Sequence, residues 1–123
     1  MTWTLDARIP LVIVADAAAL DAALASGEAA AVLIEAGGRE PDGVIAVERF
    51  EAAAAAHPLA CGCCSGRGPA ALALDRLFQA RVRGSTGWFR RVIAVVPTDA
   101  GRDEVAAALR GDALTSARFR AAG

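Results

Sequence analysis

Three observations predict an α/β domain with a mainly parallel sheet of about four strands. The first is a set of short apolar runs rich in β-branched residues at 10–15, 30–34 and 91–96, each the length of a buried strand. The second is the alternation of these runs with alanine- and leucine-bearing segments of helical character. The third is the placing of Gly, Pro and Asp at the junctions. Strands alternating with helices give three layers, with right-handed crossovers joining parallel strands.

Taken in order, residues 10–15 suit a strand buried on both faces, and Asp16 caps a helix that runs to about residue 25. Gly27 stands where a left-handed C-cap closes such a helix. Residues 30–34 form a second buried strand, 37–43 a loop of turn formers, and 44–47 a shorter third strand. The alanine-rich residues 48–57 read as a helix that must stop before Pro58. Pro69 suits the first turn of a long helix to about residue 82, with Leu72, Leu74, Leu77 and Phe78 on its buried side. The run 84–87 breaks that helix. Residues 91–96 form a strand stopped by Pro97, Thr98 or Asp99 caps a helix over 101–109, and a short helix over 113–121 ends the chain.

The 123 residues are expected to form one domain. Thirteen basic residues against fourteen acidic ones give a net charge of −1, so the charge balance calls for neither nucleic acid nor an anionic membrane. Nothing near Met1 has the basic start of a signal peptide, and no apolar run spans a bilayer, so a cytoplasmic protein with reduced thiols is expected. All thirteen basic residues are arginine. A phosphate-binding P-loop needs a lysine and a glycine-rich turn, and the chain has neither.

The chemistry concentrates in Cys61-Gly62-Cys63-Cys64, which holds all three cysteines in four positions. Thiols this close do not build an ordinary disulfide framework, and soft thiolates on one loop suit Zn(II), Cu(I) or Fe. At most two of the three are expected on one ion, because adjacent Cys63 and Cys64 point apart in most backbone conformations. His57, the single histidine, can join them or act as a cation at a helix end. A loop of small packing side chains and a thiol redox pair near a helix N-terminus stay open as other readings. No catalytic residue is expected: Ser65, Ser85 and Thr86 have no evident base. Arg81, Arg83, Arg90 and Arg91 read as solvated arginines, and Trp3 and Trp88 as packing residues or an interface anchor.

The order of these features resembles the nucleotide-binding domain of the CobW-type metallochaperone GTPases. The likeness rests on residues 9–14 as the first strand, 31–35 as the strand ending in carboxylates, Cys61-Gly62-Cys63-Cys64 as the family's CxCC loop, and Phe89-Arg90-Arg91-Val92-Ile93 leading into the Walker B strand. Asp112-Ala113-Leu114 and Arg118-Phe119-Arg120 resemble the segment that precedes the family's next strand. The departures are equally specific. Ala15-Asp16-Ala17-Ala18-Ala19-Leu20 stands in place of a Walker A loop, the acidic Walker B position falls on Val95, and no Asn-Lys-x-Asp is present.

The resemblance therefore implies a degenerate, P-loop-NTPase-like domain that keeps a metal motif without GTP hydrolysis. Glu35 and Glu40, five residues apart, resemble the family's carboxylate pair facing the CxCC loop. Glu35, Glu40 and Cys63 are thus one candidate zinc set, and Cys61, Cys63 and Cys64 another. Glu35 equally suits a strand-end carboxylate accepting loop N–H bonds, and Glu40 a solvated loop residue. The partners implied are a recipient metalloprotein or a GTPase relative, with a homodimer or an interaction domain as further readings where a shortened sheet leaves an open edge.

Overall fold

One interior strand of the sheet, Ala30–Glu35, is buried along its whole length, and the other elements are arranged to cover it. The computed structural model describes residues 7–25, 27–41, 43–52 and 67–122. The elements follow as β1 (Ile9–Val14), α1 (Ala17–Ala25), β2 (Ala30–Glu35), β3 (Ala46–Phe50), α2 (Pro69–Arg83), β4 (Arg91–Val95), α3 (Asp99–Gly111), α4 (Ala113–Arg118) and β5 (Phe119–Ala121). The strands lie in the order β3-β2-β4-β1-β5, every neighbouring pair parallel. The chain is therefore α/β, as expected, with five parallel strands among the described residues in place of about four.

Each helical crossover uses the face that its direction requires. From β1 to β2 the chain passes over β4, carrying α1 on one face. From β3 to β4 and from β4 to β5 it moves the opposite way, carrying α2 and then α3 and α4 on the other face. Reversing both direction and face keeps one handedness across these three helical crossovers. The result is two apolar layers. Leu11, Leu33, Val92, Phe50 and Phe119 meet Leu74, Leu77 and Val105 on the three-helix side, while Val32, Ile34 and Ile93 meet Leu20 on the α1 side.

The expectation that β1 is buried on both faces needs adjusting. Nine-residue α1 leans toward β4 and leaves Val12 37% exposed, while Ile9 and Leu11 turn into the three-helix layer. Two helical expectations give way to strands. Glu48 to Phe50 belong to β3, because pairing in register from Ala31 with Ala46 to Glu35 with Phe50 buries the Phe50 ring, and tertiary pairing of this kind overrides local helix propensity; residues 53–57 of the expected helix lie outside the described residues. Phe119 to Ala121 likewise leave the helix to pair with Ile9 to Leu11, which puts Phe119 into the core with its ring edge-on to Phe78 at 6.2 Å.

Helix ends also differ in one respect. Gly84 takes the left-handed conformation after α2, at φ 74°, and its N–H and that of Ser85 reach the last carbonyls. Gly27 does not adopt a positive φ. Its helix end is held instead from β4, where Arg91 donates from Nη1 to the Ala23 carbonyl and from Nε to the Glu28 carbonyl, both at 2.9 Å.

A charged cluster joins the helices of the thicker layer. Arg67 grips Asp112 with two parallel bonds of 2.9 Å, from Nε and Nη2, and approaches Asp75, which also accepts from Arg118. Asp112 is in turn the N-cap of α4, accepting from the Thr115 N–H at 3.0 Å and its hydroxyl at 2.8 Å. The hydrogen bond from Arg67 holds the Asp112 carboxyl well below the usual carboxylate range against the opposing effect of burial, with the Thr115 bonds helping.

A carboxyl depressed in this way stabilises the fold above its unfolded pKa, and the contribution is lost as pH falls through the folded value. Asp112→Asn keeps a competent N-cap but loses the bidentate pair. It is expected to cost about 2 kcal/mol in urea unfolding near neutrality. The deficit relative to wild type should stay level down to about pH 5 and shrink below about pH 4.

Candidate functional site

In a parallel sheet the helices that follow the strands begin at the carboxyl edge, where their free N–H groups form a field suited to anions. Here α1 and α3 start there directly after β1 and β4, and the first turn of α2, with Pro69 and Leu72, borders Ala36 and Phe50 at the ends of β2 and β3. The chain answers each of these termini with its own oxygen atoms. Asp16 Oδ1 accepts from the Ala19 N–H at 2.8 Å on α1. Thr98 Oγ1 accepts from the Gly101 N–H at 2.9 Å on α3. Glu104 Oε2 accepts from the Ala70 N–H at 3.3 Å on α2, and Gly68 has no side chain where that carboxylate lies.

Glu35 closes this edge from the end of β2. It is 7% exposed, and both carboxylate oxygens face Thr98: Oε1 accepts from the N–H at 3.2 Å and Oε2 from the hydroxyl at 2.5 Å. The approach is possible because α3 carries Gly101 in its first turn. A Cβ there would lie 2.5 Å from both Glu35 Oε1 and Val96 Cγ1. Glu35 thus accepts a loop N–H, one of the two roles expected of it, and ties β2, the β4–α3 turn and α3 together.

Glu40 has different surroundings. It is 65% exposed, 3.9 Å from Arg49, whose Nη1 donates to the Gly38 carbonyl at 2.5 Å. The structure therefore places one candidate carboxylate in a closed turn and the other on an open loop. The remaining candidates, Cys61, Cys63 and Cys64, together with His57, Ser65 and Trp3, lie outside the described residues. Among the described residues no three His, Cys, Asp or Glu side chains are grouped to hold a metal ion. No helix among them is long and apolar enough to cross a membrane.

A cleft of about 350 Å³ opens beside the edge, lined by Ala36, Arg49, Phe50, Glu51, Pro69, Leu72 and Arg76. Arg76 is fixed across it, donating to Glu48 at 2.6 Å and to the Arg49 carbonyl at 3.3 Å. The cysteine-bearing connection 53–66 leaves the described chain just after Phe50 and rejoins it just before Pro69, at residues that line this cleft or adjoin them.

Sequence reasoning missed Gly101 and Glu104. Gly101 carried a signal, since glycine in a helical turn forfeits about 1 kcal/mol against alanine and so calls for a packing reason. Glu104 carried none, because its partner is 34 residues away. No family model, curated protein or solved structure matches the chain.

Gly101→Ala is expected to invert the usual helix preference, costing about 2 kcal/mol by overpacking against Glu35 and Val96. Thr98→Ala should cost about 1 to 2 kcal/mol through the lost cap and the orphaned Glu35 oxygen. Denaturant unfolding of each variant measures both.

Proposed function

We propose that this protein is a metal-binding accessory protein that holds a thiophilic ion, zinc foremost, through Cys61, Cys63 and Cys64 and passes it to a recipient protein without hydrolysing GTP. The observation that carries the reading is the place of the cysteines in the chain. All three fall in the connection between β3 and α2, whose flanking residues stand at the carboxyl edge of the sheet, the usual ligand-binding edge of such folds.

The capping pattern supports the absence of a nucleotide cradle. The turn after β1, where a P-loop would wrap phosphate, carries Asp16, and its carboxylate already occupies the first turn of α1. A phosphate there would meet a negative charge. Glu35 enters this reading as an auxiliary ligand that must share its oxygens with Thr98, and Glu40 as one free to turn from Arg49. The resemblance to CobW-type GTPases supplies the delivery role and belongs to the same proposal.

Zinc titration of the fully reduced chain against a chromophoric chelator tests it. One equivalent should bind tightly, with Cys63→Ser lowering the affinity by about 100-fold or more and Glu40→Gln by much less. If reduced protein takes up no thiophilic metal, the proposal fails. Reversible oxidation of the thiols would then favour a redox role for the same cysteines.

A further inference from the structure

The amino edge of the sheet carries a second feature, separate from the cysteine connection. Leading into β4, the side chains alternate: Trp88 is 58% exposed, Phe89 is fully buried, and Arg90 is exposed again. Arg81 reaches over from α2 to lie 3.6 Å from the centre of the Trp88 ring, and its Nε donates to the Phe89 carbonyl at 2.9 Å. Val82, next along the helix, is 59% exposed. A large apolar ring is thus held in one orientation in water, fixed by a guanidinium that is itself half-buried.

The charges around it are one-sided. Among the described residues, neither Arg81 nor Arg90 forms an ion pair, and residues 80–95 contain four arginines and no acidic residue. Burial, and then the neighbouring Arg90, hold the Arg81 guanidinium below its ordinary pKa. Two like charges beside an ordered tryptophan make a surface that an anion would relieve. Tryptophan and arginine are also the side chains most enriched where binding energy concentrates, and a ring already immobilised loses little entropy on contact.

We infer that Trp88, Arg81 and Arg90 form a docking surface for an acidic peptide segment of a partner protein, with an apolar side chain of that segment packing on Trp88 beside Val82. The observations favour a peptide over nucleic acid. Arg81 already covers one face of the ring on which a base would stack, and two guanidiniums are too few to track a phosphate backbone on a chain of net charge −1.

The test uses the full chain with Trp3→Phe, so that Trp88 alone reports by fluorescence. The probe is a peptide of alternating glutamate and leucine, compared with its glutamine counterpart and with a single-stranded oligodeoxynucleotide. The acidic peptide is expected to shift Trp88 emission and to bind less well as salt is raised. The glutamine peptide and the oligonucleotide should bind far more weakly. Trp88→Ala, followed by anisotropy of a labelled peptide, and Arg90→Glu should each weaken binding about tenfold or more. Both positions are exposed, so circular dichroism should show the fold unchanged. Absence of binding, equal binding by either variant or by the glutamine peptide, preference for the oligonucleotide, or self-association through this face would overturn the inference.

Discussion

Helix N-termini gathered at one edge of a parallel sheet are the constraint on which the rest of this structure depends. A parallel sheet wound with helices sends them off from its carboxyl ends, and their dipoles make that edge electropositive. Many folds leave this field for a ligand. In this chain Asp16, Thr98 and Glu104 satisfy it from within, and Glu35 fastens the turn that carries Thr98. The edge thereby acts as a structural joint among β2, α2 and α3.

That joint accounts for several side chains that otherwise look unrelated. Gly101 and Gly68 are small because carboxylates pass where their Cβ atoms would be. Val96 is buried beside the same contact. Away from the edge, Arg67, Asp75, Asp112 and Arg118 do for the helix layer what Glu35 does for the strand ends. Both devices are charged groups with well-formed partners, which makes them costly to break and specific in the packing they select.

The lysine-free composition takes on a structural sense in this setting. A guanidinium satisfies two acceptors at fixed angles, as Arg91 does with the carbonyls of Ala23 and Glu28 and Arg67 does with Asp112. Arg81 adds a ring contact to a backbone bond. Arg81 and Arg91, which read as solvated charges in the sequence, are thus latches between elements, while Arg90 stays open to water.

The sequence by itself determined the α/β class, the three apolar strands, the breaks at Gly84 and Pro97, the capping role of Asp16 and a cap at Thr98 or Asp99, because these follow from local periodicity, backbone freedom and short-range hydrogen bonds. It also marked Glu35 as either a metal ligand or an acceptor at a strand end and set the cysteines apart by spacing alone. Only the tertiary structure decided that residues 48–50 and 119–121 are strands, since both owe their conformation to partners in β2 and β1 far along the chain. The same holds for Glu104 on α2 and Arg91 on α1. Strand pairing and long-range ion pairs are settled by which surfaces meet, and a linear pattern records such meetings only where, as at Gly101, they forbid a side chain.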